Sequence, residues 1–226
     1  MAFRNKADFI LSYKPDILII PECENKERLS FGLFSDLPTD SIWYGDNSTK
    51  GIGVFTFNDF KIKLLDIHNP EFKYILPLSI SNEHSTFTVF AVWAQSSKNH
   101  YNYTEHVWYA IQYYQSLMEG ENVILAGDFN SNTIWDKQHR KINHSSIVNF
   151  LESKNIISTY HHYHNQIQGQ EKHNTLYMQR NVNLPFHIDY CFASKELTEK
   201  LIDVEVGEYE TWSKCSDHSP LMITFE

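Results

Sequence analysis

Cysteine is scarce in this chain of 226 residues: only Cys23, Cys191 and Cys215 occur. An odd and sparse set excludes a disulfide framework and fits a reducing compartment. The three match no C-x-x-C spacing, so they are read as small buried thiols rather than as zinc ligands. Long apolar runs are missing too. No stretch approaches the roughly 18 apolar residues of a membrane span. The opening Met1-Ala2-Phe3-Arg4-Asn5-Lys6-Ala7-Asp8 has no apolar core of a secretory signal. The expectation is a cytoplasmic protein without membrane partners. Internal repeats, low-complexity tracts and Pro/Gly/Ser linkers are absent, and the length suits one domain over residues 1–226. Monomers are expected.

Positive charge is in deficit as well, with 19 Lys and Arg against 28 Asp and Glu and a net charge of −9. That counts against a protein coating duplex DNA through a basic face. It leaves room for an acidic pocket neutralised by divalent cations and for a local basic strip. Lys137, His139, Arg140 and Lys141 form such a strip, which either meets substrate phosphates or is a solvated loop.

What is present is a globular composition, 42% hydrophobic, 15% aromatic and 21% charged. Short apolar runs read as strands over 15–20, 52–57, 62–66, 74–80 and 86–94, the last placing Phe87, Val89, Ala91 and Trp93 on one face. Further strands are expected over 122–127, 156–159, 175–179, 187–193, 204–208 and 220–225. Helices are expected over 104–119, capped by Thr104 and ended by Gly120, and over about 145–154. The His- and Gln-rich stretch 160–174 reads as a loop. Its His161, His162 and His164 lack a fourth ligand at zinc spacing, so they are taken as solvated. Periodicity alone supports a mixed α/β chain and nothing finer.

Four fragments carry chemistry. Pro15-Asp16-Ile17-Leu18-Ile19-Ile20-Pro21-Glu22 puts an acid at the end of a hydrophobic strand, and Val123-Ile124-Leu125-Ala126 runs into Gly127-Asp128-Phe129-Asn130. His187-Ile188-Asp189-Tyr190 places an acid within an apolar strand, and Ser216-Asp217-His218 closes the series. In this order, over roughly residues 7–226, they resemble the endonuclease/exonuclease/phosphatase family of metal-dependent phosphoesterases. The resemblance implies a four-layer α/β/β/α sandwich, with two packed mixed sheets and helices outside. Phosphate-ester cleavage needs a positioned water, charge stabilisation on the phosphoryl oxygens and help for the leaving oxygen.

Hard divalent ions, Mg²⁺ or Mn²⁺, suit carboxylate oxygens. Glu22 is the expected first metal ligand, with Glu24 as its alternative, and Asp217 the second metal-site acid. Asp128 and Asn130, two apart, can face one way beyond their strand, and the resemblance gives them the attacking water and the phosphate. His218 needs an orienting carboxylate, for which Asp189 is the natural partner because an isolated acid on an apolar strand is costly.

Two departures matter. Where family members carry Tyr or His near the end of the strand at 86–94, this chain has Trp93-Ala94-Gln95-Ser96, whose indole cannot replace a phenol or imidazole as a proton carrier, although Gln95 can donate to an oxygen. The family's first strand and its Asn are expected to be absent ahead of a helix over 4–13, leaving the strand at 15–20 with an unpartnered edge. Substrate contacts are expected from Gln95, Arg140 and Lys141, and the stretch His173 to Tyr177 is expected to approach the site from the side. The resulting expectation is a divalent-metal-dependent phosphodiester hydrolase, most consistent with a nuclease that favours DNA. The alternatives are a phosphatase or phosphodiesterase of a small metabolite or lipid headgroup, and a binding protein with a degraded site.

Overall fold

A computed structural model of the chain describes residues 3–29, 37–96 and 101–226. The element order is α1 (Ala7–Leu11), β1 (Ile17–Cys23), β2 (Asp40–Asn47), β3 (Lys50–Thr56), β4 (Lys61–Leu64), β5 (Ile75–Ser81) and β6 (Thr86–Trp93). Next come α2 (Tyr103–Tyr113), β7 (Val123–Asp128), α3 (His144–Ser153), β8 (Ile156–Ser158), α4 (Thr159–His164), β9 (Leu176–Tyr177) and β10 (Pro185–Phe186). The chain closes with β11 (Asp189–Ser194), α5 (Lys195–Thr198), β12 (Leu201–Val206), α6 (Tyr209–Trp212) and β13 (Leu221–Phe225). Among the described residues no helix is long and apolar enough to cross a membrane.

A strand buried on both faces must be apolar at successive positions rather than at alternate ones, and β6 and β1 are. Val89, Ala91 and Trp93 of β6 point between two sheets, against Ile52 and Val54 of β3. Phe90 and Val92 point the other way, into a cluster with Val107, Ala110 and Ile111 of α2 and Ile147 and Leu151 of α3. In β1, Ile17 and Ile19 pack into the inter-sheet layer. Leu18 and Ile20 face outward to Ala7, Ile10 and Leu11 of α1 and to Trp212. Three apolar layers thus separate helices, sheet, sheet and helices, the four-layer arrangement that the resemblance implies.

The first sheet has six strands in the order β4-β5-β6-β7-β11-β8, antiparallel except for the β6–β7 pair. The second layer is in two pieces, β1-β3-β2 and β12-β13. β1 crosses β6 and β7 while β13 lies over β11. Beneath the division, Ile124 and Ala126 of β7 are half-buried whereas Val123 and Leu125 are fully buried.

Several local expectations change. Asn102, not Thr104, caps α2, in a reciprocal capping box with Glu105. The helix ends at Tyr113 and tightens into a 3-10 turn over Gln115–Met118 well before Gly120. Strand β2 and helix α4 were not expected, and α4 replaces part of the loop at 160–174. All three cysteines are free. Burial pushes the Cys23 and Cys191 thiols up, the latter to about 12, which removes thiolate chemistry from both.

One glycine has no substitute. Gly127 lies one residue before Asp128 with φ of +137°, and a Cβ there would sit 2.0 Å from the Val92 carbonyl oxygen on the neighbouring strand. Gly127→Ala is expected to destabilise the fold by about 3 kcal/mol or more, through backbone strain and a backbone clash. Denaturant midpoints of the two proteins measure it; equal midpoints would show that β6 can retreat from β7.

Candidate active site

The register of the six-stranded sheet assembles the site. Asp128 is the last residue of β7 and Asp189 the first of β11, and the two are direct antiparallel partners. Trp93, the last residue of β6, is the parallel partner of Asp128 on its other side. Directly opposed residues of adjacent strands lie close enough for their side chains to interact, and like charges there repel. Two carboxylates are therefore held together by ladder hydrogen bonds, which leaves neither free to swing away.

Asn130 turns back onto Asp128. Its backbone has φ of +48°, its N–H donates to Asp128 Oδ1 at 2.8 Å and its Nδ2 donates to Asp128 Oδ2 at 2.7 Å. The short polar side chain makes that left-handed conformation tolerable. Asp189 takes the His218 ring instead, with Nδ1 2.9 Å from Oδ2. This fixes the ring and leaves Nε2 as the nitrogen that a substrate oxygen can reach.

The loop carrying His218 is fastened to the strands around it. Leu176 bridges to His218, Tyr177 N–H donates to the Asp217 carbonyl at 2.7 Å, and Ser219 N–H donates to the Thr175 carbonyl at 2.8 Å. Thr175, fully buried, accepts the Ile188 and Asp189 N–H groups on one hydroxyl, each at 3.0 Å. The stretch from His173 to Tyr177 thus runs beside the His218 loop. Sequence reading missed Thr175 as the residue that ties Asp189 to that loop.

Electrostatics follow from the crowding. Burial, then the Asp189 charge, lifts the Asp128 carboxyl to about 8 against the opposing pull of His218 and the Asn130 N–H. Burial alone would lower His218, but Asp189 first, then Asp128 and Asp217, outweigh it and raise the imidazole to about 9. The crowding therefore favours a charged imidazolium and disfavours a second carboxylate charge beside Asp189.

Asp128, Asp189 and His218 each offer a ligand atom within 4.8 Å of the others. Two carboxylates with a third acid close by are a hard oxygen donor set, which fits Mg²⁺ or Mn²⁺. Glu22 stands at the edge of this group. It lies in a bulge of β1 with φ of +59°, near enough to raise the Asp128 carboxyl, but half-exposed and paired with Lys50 Nζ at 2.7 Å. Lys50 lies 5.4 Å over the Trp93 ring. Glu24 is no alternative: it is buried away from the site, where it pairs with Arg4 and accepts the Phe3 N–H at 2.8 Å. Asp217 is part of the field around His218 yet outside the tight three-residue group.

The substrate-contact residues separate. Gln95 lies beside Asn130, since both side-chain amides donate to the Ala94 carbonyl. Arg140 and Lys137 line a cavity that opens at Asn130. Lys141 does not line it; its side chain is exposed and its carbonyl accepts the Ser146 hydroxyl at 3.0 Å. A larger cavity of about 480 Å³ lies elsewhere, around Asp203, Glu205 and Glu208, and of the residues expected at or beside the site only His173 lines it. Its carboxylates would repel a phosphate.

Two further supports have no motif. Lys6 Nζ donates to Ser216 Oγ at 3.1 Å, and the same hydroxyl accepts the His218 N–H at 3.1 Å. Burial pushes the Lys6 ammonium down, while Cys215, Asp217 and Asp189 favour its charge. Behind the site, the reading of His161 and His164 as solvated is corrected. His161 Nε2 meets buried Glu171 at 3.0 Å, and His164 Nε2 meets the Val204 carbonyl at 2.9 Å; of the three histidines His162 alone is exposed. Burial raises Glu171, but hydrogen bonds from His161 and Gly169 outweigh it and hold it at about 2. Asn132 donates to this Glu171 at 3.2 Å and to the His187 carbonyl at 2.9 Å, which ties the loop after Asn130 to the segment before Asp189.

The raised Asp128 carboxyl has a stability consequence whose sign is fixed. An acid with an unfolded value of 3.8 and a folded value of about 8 penalises the fold increasingly as pH rises through that window. Below it the penalty vanishes. In chelator, Asp128→Asn should raise the melting temperature at pH 8 and leave it nearly unchanged at pH 4. A rise that is the same at both values would show that Asp128 is already ionised in the folded state.

No family model matches the sequence, and no curated protein matches it. Solved structures do. A 3′ phosphatase, a variant of NExo from Neisseria bound to a product DNA hairpin, superposes with a TM-score of 0.68 at 17% identity, covering 99% of this chain and 94% of that one. An AP endonuclease from Archaeoglobus fulgidus gives 0.65 at 16%, covering 96% and 91%. The AP endonuclease LMAP from Leishmania major gives 0.68 at 13%, covering 98% and 81%. Over nearly its whole length the chain has the DNase I-like fold of the endonuclease/exonuclease/phosphatase proteins.

Proposed function

We propose that residues 1–226 form one phosphodiester hydrolase domain, dependent on Mg²⁺ or Mn²⁺ and acting on nucleic acid, with DNA favoured. The observation that carries this reading is the convergence of Asp128, Asp189 and His218 at the paired ends of two interior strands, with Asn130 clasped to Asp128. The fold neighbours support it, since they include AP endonucleases and a 3′ phosphatase bound to a DNA hairpin.

Hydrolysis proceeds by attack of a water oxygen on phosphorus, with cleavage of the opposite phosphorus–oxygen bond and no covalent enzyme intermediate. Asp128 takes the proton of the attacking water. Its position near the operating pH suits a general base better than an ordinary carboxylate would. Asn130 fixes the direction of that carboxylate through its backbone N–H and its amide. His218, positively charged and oriented by Asp189, donates from Nε2 to a phosphoryl oxygen as negative charge builds there. Asp128 and Asp189, with Glu22 beside them, would hold a divalent ion, which would supply charge neutralisation for the phosphoryl group and the leaving oxygen. Asp217 adds to the field that keeps His218 charged, and Gln95 is a further donor beside Asn130.

Divalent ions should be required, chelation should abolish turnover, and Asp128→Ala or His218→Ala should lower kcat/KM by at least about a hundredfold, the scale of a lost acid–base group. Asp189→Asn should cost less than His218→Ala, because the imidazole stays but is weakly oriented. Plasmid, single-stranded oligonucleotide, a 3′-phosphorylated oligonucleotide and a generic phosphodiester are the assay substrates. Turnover of the last alone would move the reading to small phosphate esters. No turnover of any would move it to a binding protein.

A further inference from the structure

Next to Asn130 the surface opens into a cavity of about 190 Å³, whose walls include Tyr103, Trp135, Lys137 and Arg140. The catalytic scheme above uses none of these four. Tyr103 is 42% exposed and Trp135 44%, a large apolar area left in water beside a candidate active site. The Trp135 ring is braced from behind by Phe186, at 5.0 Å between centroids. That holds its position without covering it.

The charge lining the cavity is cationic on balance, with Lys137 and Arg140 against Asp136. The carboxylate of Asp136, the adjacent acid, is engaged at the start of α3, accepting from His144 N–H at 2.9 Å, Ser145 N–H at 3.0 Å and the Ser145 hydroxyl. Among the described residues no carboxylate forms an ion pair with Lys137 or Arg140. A protein with net charge −9 thus carries two cations outside any ion pair and two open aromatic rings at one place, and that place adjoins Asn130. Aromatic faces with cations that track a backbone are the means by which proteins hold unpaired nucleotides.

We infer that this cavity is a nucleotide subsite: it takes the unpaired nucleotide next to the cleaved phosphate, with its base against Trp135 and Tyr103 and its phosphate on Arg140 and Lys137. The volume suits one nucleobase and not a base pair, so the preferred substrate presents a single-stranded nucleotide there rather than continuous duplex. The inference rests on the nucleic-acid reading of the neighbouring site, but it concerns binding and can fail or stand independently of cleavage.

Binding of a labelled single-stranded oligodeoxynucleotide, measured by anisotropy in chelator so that nothing is cut, tests it. Derivatives lacking one base at a time scan the positions. In the wild-type protein one base removal should weaken binding about tenfold, as expected for a lost stack. In Trp135→Ala the intact oligonucleotide should bind about tenfold more weakly and the same base removal should cost nothing further. Trp135→Phe, which keeps a ring face, should restore most of the loss and guards against a merely misfolded variant. Arg140→Gln should weaken every oligonucleotide alike and reduce the salt slope by about one. The inference is overturned if base removal costs the same in wild type and Trp135→Ala at every position, or if fully paired duplex binds as tightly as single strand. Coupled binding without cleavage by any divalent ion would instead overturn the hydrolase reading and leave the subsite standing.

Discussion

The opposition of Asp128 and Asp189 across one pair of strands is the constraint around which the rest is arranged. Two like charges about 4 Å apart in a partly desolvated site repel by roughly 4 kcal/mol, comparable to a large share of a domain's net stability. The ladder does not let them separate, so the charge must be handled locally. His218 does part of this by ion-pairing with Asp189, and the raised proton affinity of Asp128 does the rest. A cation entering the cluster relieves the repulsion more fully than either. The same crowding that costs stability is therefore what attracts a divalent ion and holds a base near working pH.

Such a strain is tolerable only on a rigid platform. β7 is central in its sheet, with β6 and β11 on either side, and hydrophobic clusters lie on both faces of the sheet. The loops that complete the site are tied to this platform by buried polar contacts. Thr175 grips the start of β11, Asn132 and Glu171 fasten the turn after Asn130, and Ser216 holds the His218 N–H. A buried carboxylate such as Glu171 is stable only when fully paired, which His161, Gly169 and Asn132 accomplish.

How much of this could be read in advance depended on how local its cause was. Asp128, Asn130, Asp189 and His218 were legible because each sits in a short motif at a strand end or loop, and their order carried the resemblance to a known fold. The cap at Asn102 was legible in principle from Asn102 and Glu105, three apart, but the nearer Thr104 concealed it. The pairing of Glu22 with Lys50 was not, because it depends on β1 lying beside β3 with Cys23 opposite Gly51. Lys6 and Ser216 are 210 positions apart, and only the finished fold brings them together. The histidines of α4 misled for a related reason: a polar composition suggests solvent, yet Tyr160, wholly buried, anchors the helix and turns His161 and His164 inward.

The placement of cations resolves the difficulty that an acidic chain poses for a phosphate-handling site. Long-range repulsion between a protein of charge −9 and a polyanion is screened within about 10 Å at ordinary salt, so the local field near the reacting phosphate decides binding. There cations stand among the acids. Lys6 supports the site from beneath, Lys50 stands at its rim over Trp93, and Lys137 and Arg140 flank it beyond Asn130. Lys137 and Arg140 belong to a basic strip visible in the sequence, whereas Lys6 and Lys50 reach the site only through the fold. Overall charge thus says little about the ligand of this site, whereas the distribution of a few lysines and one arginine around four acids says a great deal.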